Sequence, residues 1–248
     1  MLQLNIITLP VYKDGEFLVR AVDTLEMVTA ALGYDCKLLI TEDGSDSSQL
    51  VSELQNRFSN IIYLHHDQRL GRGRALREAW DKVEGDVYIY LDVDMATDLE
   101  KFDAFRKLVQ LNERYDMVTG SRYVSGSVTN RPMLRRLTSI AYNSLVRIVF
   151  WTGIRDHQCG FKSFSKPLVR MLSREAKSDS WFWDTEVIVL AKKLGFSIAE
   201  IPIYWTEQKG KKTPLRRLIK DLWIHGAGLI VLTWRVYGQG FRKSIIQP

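Results

Sequence analysis

Two aspartates one residue apart, Asp92 and Asp94, follow a run of apolar residues at 87–91. A continuous run of β-branched, aromatic and aliphatic residues is typical of a strand buried on both faces in a parallel sheet. The carboxyl ends of such strands are where open α/β sheets bind ligands. Two neighbouring carboxylates repel each other unless a cation lies between them, and oxygen ligands suit Mg²⁺ or Mn²⁺ shared with a diphosphate. The pattern therefore indicates a metal and nucleotide site, with a solvated strand exit as the alternative.

A loop rich in glycine and arginine lies upstream of these acids at residues 69–76 and reads RLGRGRAL. Backbone N–H groups at the start of a helix bind phosphate groups. Leu76 stands where a dinucleotide fingerprint has its third glycine, and no strand ending in an acid follows at the usual distance. The loop is therefore predicted either to cover a phosphate, with Arg72 as the candidate contact, or to form a structural turn.

The apolar periodicity predicts strands that alternate with helices. Predicted strands cover 3–9, 37–41, 60–64, 86–91 and 117–120, and predicted helices cover 16–32, 47–58 and 98–112. In the second half the pattern predicts a helix at 134–151, a loop and strand at 156–164, a helix ended by Gly195, and a strand at 196–205. This alternation is typical of an α/β fold with a mostly parallel sheet and helices on both faces.

The composition limits the class of protein. A chain of 248 residues fits one large α/β domain. The two cysteines, Cys36 and Cys159, lie far apart, and the four histidines lack metal-binding spacing, so neither a zinc site nor a disulfide framework is indicated. Because the N-terminus lacks the regions of a signal peptide, we expect a cytoplasmic protein.

The net charge of +6 is unevenly distributed. Residues 1–128 hold 14 Lys and Arg against 21 Asp and Glu, whereas residues 129–248 hold 21 against 8. An acidic half suits a metal or a sugar nucleotide, and a basic half suits an anionic partner such as a membrane or a nucleic acid; scattered solvated charges are the alternative. No nucleic-acid-binding signature accompanies the basic residues, so we predict no nucleic-acid partner.

Seven motifs in order along the chain resemble those of family 2 glycosyltransferases of the GT-A fold, in particular the polyprenyl-phosphate or dolichyl-phosphate hexose synthases. They read PVYKD (10–14), EDGSDS (42–47), RLGRGRAL (69–76), DVDMAT (92–97), GSRY (120–123), DHQCGFK (156–162) and EIPIYW (200–205). Each is common alone, but their order and spacing are specific and extend over about residues 4–218. The resemblance implies a Rossmann-like GT-A catalytic domain at 1–213, followed by a basic and apolar C-terminal helix at 214–248.

The resemblance also implies roles for individual residues. Asp43 would accept a hydrogen bond from the nucleobase, Asp94 would hold the Mg²⁺ or Mn²⁺ that bridges the donor diphosphate, and Asp92 would contact the ribose or the metal. Arg122 and Arg131 would complete the catalytic set with bidentate contacts to the acceptor phosphate and the donor diphosphate. The other nucleotide-sugar contacts implied are Pro10, Tyr12, Asp14, Arg72 and Val93. Weaker candidates for the acceptor or the sugar are Asp156, Asp184, Lys209 and Lys211.

The sequence departs from the family pattern at three places. Lys13 and Asp14 replace an Asn-Glu pair, and Ala96 stands where mannosyl relatives often carry a glutamine ligand. A late basic element keeps its charge at 209–213 but has lysine in place of arginine. DHQCGFK and the Ala96-Thr97 pair resemble the glucosyl branch more than the mannosyl one, so UDP-glucose is favoured over GDP-mannose as donor.

Two acids near the paired tryptophans, Asp184 and Glu186, have alternative interpretations. In relatives that glycosylate a sugar hydroxyl such an acid is a general base. Alternatively the two form a helix cap and a first-turn acid. Trp181 and Trp183 could stack on sugar or belong to the core. Asp156 could likewise line the sugar pocket or cap a turn.

The C-terminal segment places basic residues beside an apolar stretch at 222–234. This stretch is too short to span a bilayer and is interrupted by His225, Gly226 and Gly228. It predicts either an interfacial helix, with tryptophans at the headgroup level and cations on anionic lipid, or a terminal helix packed on the catalytic domain.

Together these features predict a metal-dependent inverting glycosyltransferase that moves a hexose from a nucleotide sugar to a polyprenyl phosphate. It would be peripheral on the cytoplasmic face of the membrane. One alternative is a glycosyltransferase for a glycan hydroxyl, which needs a general base, and the other is a catalytically silent nucleotide-sugar or membrane-binding module. A phosphate acceptor is already ionised at neutral pH and needs placement and positive charge instead.

Overall fold

The computed structural model describes residues 3–99, 103–206 and 215–238. Its strands are β1 (Asn5–Val11), β2 (Cys36–Asp43), β3 (Ile61–His66), β4 (Val87–Leu91), β5 (Met117–Ser121), β6 (Val128–Asn130), β7 (Phe161–Ser165), β8 (Ile198–Pro202) and β9 (Tyr204–Thr206). Seven of them form a central sheet in the order β3-β2-β1-β4-β7-β5-β8, and β6 pairs with β9 in a small parallel sheet. β7 runs antiparallel to β4 and β5, while the other neighbouring pairs of the central sheet are parallel. The predicted mostly parallel sheet is confirmed.

Helices follow most strands along the chain. They are α1 (Leu18–Leu32), α2 (Ser48–Arg57), α3 (Arg72–Lys82), α4 (Asp103–Leu111), α5 (Met133–Phe150), α6 (Lys166–Glu175), α7 (Trp183–Lys193) and α8 (Leu215–Tyr237). A 3-10 turn at Gly15–Phe17 leads into α1, and α1 ends at Gly33, whose φ of 68° lies in the left-handed region. Gly33 and Gly195 were both predicted as helix ends, and Gly195 follows α7 with a φ of 85°.

Two hydrophobic cores lie on opposite faces of the central sheet, because side chains alternate along each strand. In β1, Ile7 contributes to the core formed with α1, α2 and α4, whereas Ile6 contributes to the core formed with α3, α5, α6, α7 and α8. Trp80 of α3 packs in the second core against the sheet, and its indole N–H donates to the hydroxyl of Thr8 at 2.8 Å. Helices on both faces were predicted, and this architecture confirms them.

Two local predictions differ from the structure, and two elements were not predicted. A helix was predicted from Asp98 onward, but Asp98 and Leu99 are not helical. The preceding Thr97 bridges to Trp205, and the Asp98 N–H donates to the carbonyl of Tyr204 at 2.9 Å. The single strand predicted at 196–205 is broken at Ile203 into β8 and β9, which belong to different sheets. α6 and β6 were not predicted, although a proline in the first turn of α6 is a helix-start signal.

The terminal helix α8 packs one side on α5 and on the loop before α7. Leu232 is buried in the second core, a Cβ at Gly228 would collide with the ring of Phe182, and Tyr237 stacks on Phe150 with ring centroids 6.1 Å apart. These contacts agree with the packing alternative for this helix. In the described part of the chain, no helix has the length and apolar character needed to cross a bilayer.

Candidate active site

The acidic turn after β4 holds Asp92 and Asp94 at the carboxyl end of the parallel strands. The Met95 N–H donates to the Asp92 carbonyl at 3.1 Å, and Met95 has a positive φ of 50°. The Ala96 N–H donates to Asp94 Oδ1 at 3.2 Å. A positive φ outside glycine costs roughly 1–3 kcal/mol, so the surrounding contacts must hold the turn in place. Both carboxylates remain partly exposed on this turn.

Gly160 leaves the space that the Asp92 side chain occupies. Because β7 runs antiparallel beside β4, the Asp92 N–H donates to the Gly160 carbonyl at 3.0 Å. A Cβ added at Gly160 would overlap the carboxylate of Asp92, although the backbone of Gly160 is not left-handed. The glycine is therefore required by the close approach of Asp92.

A buried cluster of charged groups joins the acidic turn to α3, α7 and β7. The Arg72 guanidinium pairs with Asp92 at 2.7 Å and with Asp184 at 3.4 Å. Lys162 is fully buried, and its ammonium pairs with the other oxygen of Asp184 at 2.6 Å. Arg72 also donates to the Tyr90 hydroxyl, which donates to Asp92 at 3.1 Å. Two cations thus balance two acids, and the cluster orients Asp92.

Two further features fix the protonation of Tyr90 and the position of Arg72 in this cluster. Burial raises the pKa of the Tyr90 hydroxyl well above its ordinary value, so Tyr90 stays protonated and able to donate to Asp92. Trp181 covers the Arg72 guanidinium, with the Arg72 Cζ 3.4 Å from the ring centroid. Trp181 is therefore an arginine partner at the rim, whereas Trp183 lies in the core, as the core alternative predicts.

The cluster predicts a large effect of Asp184→Asn on stability. Removing this acid leaves the Lys162 ammonium buried with a neutral partner, which we expect to lower the free energy of unfolding by about 3–5 kcal/mol. The exposed pair of Asp103 with Lys107 provides the control, because Asp103→Asn is expected to change stability by less than about 1 kcal/mol. Urea denaturation of both variants measures this, and equal stabilities would contradict the assignment of a buried, paired Lys162.

Asp43, at the end of β2, holds the glycine-rich loop before α3. Its carboxylate accepts hydrogen bonds from the N–H groups of Leu70 and Gly71, the latter at 2.9 Å. Gly71 has a φ of 90° and precedes the first residue of α3, Arg72. The loop is therefore a structural turn, as one of the two predictions has it, and this turn places Arg72 against Asp92. Whether the loop also covers a phosphate stays a prediction.

The end of β1 lies beside this loop. The Arg69 guanidinium stacks on the ring of Tyr12, with Cζ 3.8 Å from the centroid. The Lys13 N–H donates to the hydroxyl of Ser45 at 3.0 Å, which ties the segment after β1 to the segment after β2. Tyr12 and Asp43 therefore belong to one continuous surface.

Arg122, which follows β5, forms a buried ion pair with Asp156. Nε and Nη2 donate to the two carboxylate oxygens at 2.7 and 2.8 Å, and the main-chain N–H of Arg122 donates to Oδ2 at 3.0 Å. Burial alone would raise the pKa of Asp156, but the Arg122 charge and these hydrogen bonds hold it below its ordinary value. Asp156 thus takes two of the side-chain donors of Arg122, and the phosphate contact predicted for Arg122 stays a prediction.

Arg131 lies beside Arg122 over the same indole ring. The Cζ atoms of Arg131 and Arg122 lie 5.4 and 5.5 Å from the ring centroid of Trp205. Nη1 of Arg131 donates to the hydroxyl of Ser139 at 3.0 Å, and among the described residues its buried Nε has no acceptor. Burial and the neighbouring Arg122 lower the pKa of Arg131. A partly buried cation with an unused donor and a like charge nearby is stabilised by an anion.

Trp205 connects these arginines to the acidic turn. Thr97 forms a bridge with Trp205, and the Thr206 N–H donates to the Ala96 carbonyl at 2.9 Å. The segment after Asp94 is thus paired with β9, which carries the tryptophan. The acids and the arginines therefore belong to one site.

The structure brings most of the predicted site residues to one edge of the sheet. They follow β1 or lie at its end (Pro10, Tyr12, Asp14), at the end of β2 (Asp43), after β4 (Asp92, Val93, Asp94) and after β5 (Arg122). Arg72 and Asp184 join them from the first turns of α3 and α7. Val93 is buried in the first core, and Lys209 and Lys211 lie outside the described residues.

Four contributors were not predicted from the sequence: Arg69, Gly160, Lys162 and Trp205. All four lie inside the quoted motifs RLGRGRAL, DHQCGFK and EIPIYW, so their positions were marked. Their contact partners were not predicted, because the contacts of Lys162 with Asp184 and of Trp205 with Arg131 join distant parts of the chain.

His157, next to Asp156, gives the fold a pH dependence. Its ring nitrogens pair with Asn143 Oδ1 and with the hydroxyl of Thr152, both at 2.9 Å. Burial lowers the pKa of His157 from 6.5 to about 4. Between these values the unfolded chain binds a proton that the folded chain does not, so stability is complete above the unfolded pKa and is lost as the pH falls.

We therefore expect the free energy of unfolding to fall by up to about 3 kcal/mol between pH 7 and pH 4 through this residue. His157→Gln should remove that part of the pH dependence, while His65→Gln, at a partly exposed histidine, should keep it. Urea denaturation at each pH measures the effect. If the free energies of unfolding of the wild type and of His157→Gln changed equally with pH, the assignment to His157 would be contradicted.

The donor set of the acidic turn fits a divalent cation that is shared with a ligand. Among the described residues no cluster of three or more His, Cys, Asp or Glu side chains is placed to hold a metal. Two carboxylates leave most of an octahedral shell to other oxygens, and Mg²⁺ usually takes these from water and phosphates. Asp92 and Asp94 therefore suit a metal that arrives with a diphosphate.

Comparisons with known proteins agree with this geometry. The family model described as Glycosyl transferase family 2 matches residues 6–173. The glycosyltransferase AglD of Haloferax volcanii is 36% identical over 236 residues, which cover 93% of this chain and 37% of that protein. The dolichyl-phosphate beta-glucosyltransferase ALG5A of Trichomonas vaginalis is 28% identical, covering 86% of this chain and 69% of that protein.

A solved structure shows the same fold. Glucosyl-3-phosphoglycerate synthase from Mycobacterium tuberculosis, in complex with Mn²⁺, UDP-glucose and phosphoglyceric acid, has a TM-score of 0.69 at 16% identity and covers 93% of this chain and 80% of that chain. The predicted GT-A architecture is thereby confirmed.

The chain belongs to glycosyltransferase family 2, as the seven motifs indicate. It spans 37% of the length of AglD, so what the whole of that relative does is not carried over with the family.

Proposed function

We propose that the protein is a metal-dependent, inverting glycosyltransferase that transfers glucose from UDP-glucose to a polyprenyl phosphate of the dolichyl type. The observation that carries this proposal is the arrangement around Trp205, where an acidic turn and the partly buried Arg131 belong to one site. The acidic turn suits a metal-bound diphosphate, and a cation with an unused donor suits a second phosphate. The names of the relatives support glucose and dolichyl phosphate as donor sugar and acceptor.

The state of the two candidate bases favours a phosphate acceptor over a glycan hydroxyl. Asp184 is paired with Lys162 and Arg72, and Glu186 is paired with Arg235. Both acids are buried. A sugar hydroxyl needs a base in contact with it, whereas a phosphate monoester is already ionised, since its second pKa is about 6.

In the proposed reaction an acceptor phosphate oxygen attacks the anomeric carbon as the bond from that carbon to the donor diphosphate breaks. UDP leaves with the bonding electrons, and the single displacement inverts the anomeric centre. Arg131 holds the attacking oxygen and offsets the repulsion between acceptor and donor phosphates. Asp94 and Asp92 would hold the Mg²⁺ or Mn²⁺, which would supply Lewis-acid stabilisation to the leaving diphosphate. Arg72 keeps Asp92 oriented.

The nucleoside is proposed to lie along the ends of β1 and β2. Pro10 and Tyr12 line the base and ribose, with Asp14 as a flanking contact. Asp43 uses part of its hydrogen-bonding capacity on the loop before α3, and a carboxylate has about four acceptor positions, which leaves capacity for the nucleobase.

A panel of donors tests this assignment. In the presence of Mn²⁺, UDP-glucose should raise the melting temperature more than GDP-mannose, since stabilisation follows affinity. The comparison needs equal ligand concentrations and a metal-free control. Stronger stabilisation by GDP-mannose would reverse the donor assignment.

Gly160→Ala tests the placement of Asp92. The added methyl group should displace the Asp92 carboxylate and lower kcat/KM by at least about tenfold, because misplacing a site group by 1 Å can cost about a hundredfold. Gly226→Ala is the matched control, since a Cβ there meets nothing within 4 Å. Equal kinetics of the two variants would show that the close approach of Asp92 is not needed.

We further propose that the protein docks on the cytoplasmic face of a membrane through an apolar face of α5 and α8. The face is formed by large exposed side chains: Met133, Leu134, Leu137, Leu145, Ile148, Trp151, Trp223, Ile230, Val231 and Trp234. The two helices are tied together by Tyr237, whose hydroxyl donates to the carbonyl of Val149 at 2.7 Å. Exposed tryptophans beside arginines suit the interface of an anionic bilayer.

Flotation with vesicles tests this docking. Wild-type protein should float with anionic vesicles, and Trp151→Ser combined with Trp234→Ser should reduce the bound fraction several-fold. Met27→Ser combined with Tyr115→Ser, at exposed apolar residues outside the apolar face, is the control. Equal flotation of both double variants would contradict the assigned face.

A further inference from the structure

A basic cavity lies on the flank of α5, next to the loop that follows β5. Its volume is about 350 Å³, within the range of small-molecule sites. It is lined by Arg122, Tyr123, Val124, Ser127, Thr129, Arg136, Ile140, Asn143, Ser144, Arg147 and Arg155. Arg122 and Asn143 are buried, whereas Arg136, Arg147 and Arg155 are exposed. The cavity therefore has a buried floor and an arginine-rich mouth.

The charge of the lining is one-sided. Among the described lining residues, four are arginines and none is an acid. Arg122 is neutralised by Asp156, but within the described ranges no carboxylate lies within 4.0 Å of the guanidinium groups of Arg136, Arg147 or Arg155. Glu200 accepts hydrogen bonds nearby, from main-chain N–H groups. Three arginines that repel one another around a cavity are stabilised by an anion, and guanidinium groups suit phosphate oxygens.

The mouth of the cavity adjoins the apolar face of α5 and α8. Ile140 lines the cavity and is 39% exposed, and Leu137, one helical turn earlier, belongs to that face and is 53% exposed. Arg147 of the cavity is followed directly by Ile148 of the apolar face. A ligand with a phosphate in the cavity could therefore lay an apolar chain along α5.

We propose that this cavity binds the phosphate headgroup of an anionic membrane phospholipid, separately from the acceptor. This assignment rests on the proposed membrane docking for its source of ligand. Arg131, which is proposed to hold the acceptor phosphate, is absent from the cavity lining, and its Nη1 bonds to Ser139. Arg122 reaches both places, because it lines the cavity and lies over Trp205 beside Arg131. The buried side chain of Arg122 therefore connects the cavity to the proposed acceptor site.

Isothermal titration calorimetry with short-chain lipids below their micelle concentration tests the site without a membrane. Dihexanoyl phosphatidylglycerol should bind the wild type, and the triple variant Arg136→Gln, Arg147→Gln and Arg155→Gln should bind it at least about tenfold more weakly, since each charge-assisted contact contributes. Three exposed arginines on other helices form the matched control, Arg20→Gln, Arg106→Gln and Arg174→Gln, which should leave the affinity unchanged. Dihexanoyl phosphatidylcholine should bind more weakly than the glycerol lipid.

Two further measurements distinguish a phospholipid from other sources of the phosphate. Inorganic phosphate should bind more weakly than the short-chain lipid, and equal affinity would overturn the lipid assignment. In detergent, the triple variant should keep its KM for a short polyprenyl phosphate within about twofold of the wild type, because Arg131 is intact. A KM raised as much as the phospholipid affinity falls would make the cavity the acceptor site and overturn the proposal.

The calorimetric result is independent of catalysis. If the protein transferred no glucose but bound the phospholipid through the three arginines, the proposed function would fail and the cavity assignment would stand. Absence of binding to the wild type, or equal binding by the cavity and control variants, would overturn the cavity assignment alone.

Discussion

Asp94→Asn is expected to lower kcat about a hundredfold to a thousandfold, because metal help to a leaving group is worth several kcal/mol and about 1.4 kcal/mol is tenfold in rate. The change removes a charge with little change in volume. Asp94 lies on a turn outside the buried ion cluster, so the fold should remain intact. Steady-state kinetics with UDP-glucose, a short polyprenyl phosphate and Mn²⁺ measures the loss.

The control for this variant is Asp103→Asn, at an exposed acid of α4. It should keep the kcat of the wild type. A thermal-shift titration of UDP with and without Mn²⁺ adds a reading besides activity, because the metal-dependent part of the stabilisation should disappear in Asp94→Asn. Wild-type turnover in that variant would show that Asp94 does not hold the metal.

Arg131→Ala is expected to lower kcat/KM for the polyprenyl phosphate by about a hundredfold, while the affinity for UDP-glucose changes less than about threefold. A charge-assisted hydrogen bond to a phosphate contributes roughly 1.5–3 kcal/mol, and Arg131 also offsets the repulsion between two phosphates. Among the described residues the buried Nε of Arg131 has no acceptor, which leaves Arg131 with capacity for a ligand. Arg114→Ala, at an exposed arginine, is the control.

Comparing Arg131→Ala with Asp184→Asn distinguishes a phosphate acceptor from a glycan hydroxyl acceptor. Rates must be expressed per folded molecule, because Asp184 also neutralises the buried Lys162. On that basis Asp184→Asn should retain substantial activity. If Asp184→Asn abolished transfer and Arg131→Ala were nearly silent, the acceptor would be a glycan hydroxyl that needs a base.

The fold followed from the sequence because the strands and helices of the first half have strong local signals. The apolar run at 87–91 and the alternation of strands with helices before it give a parallel sheet whose strand ends meet at one edge, which is where Asp43, Asp92 and Asp94 lie. The antiparallel insertion of β7 was not predicted. It depends on pairing with β4 and β5, which are distant in sequence.

The site was predicted as a set of residues but not as a set of contacts. Arg122 and Asp156 were both named, yet as separate ligands, because nothing local indicates that a guanidinium and a carboxylate 34 residues apart will pair. Similarly, the positions of Lys162 and Asp184 were visible but their buried pair was not. Ion pairing of this kind depends on tertiary structure, which brings the partners together only after both faces of the sheet are covered.

The measurement that tests the central claim most directly is mass spectrometry of the lipid product. The protein is incubated with UDP-glucose and a short polyprenyl phosphate, with Mn²⁺ or with a chelator, and with the matching polyprenol as the hydroxyl acceptor control. We expect hexosyl polyprenyl phosphate and UDP in equal amounts, formed only with the metal and only from the phosphate. Glucose transferred to the polyprenol hydroxyl, or equal yield in the chelator, would contradict it.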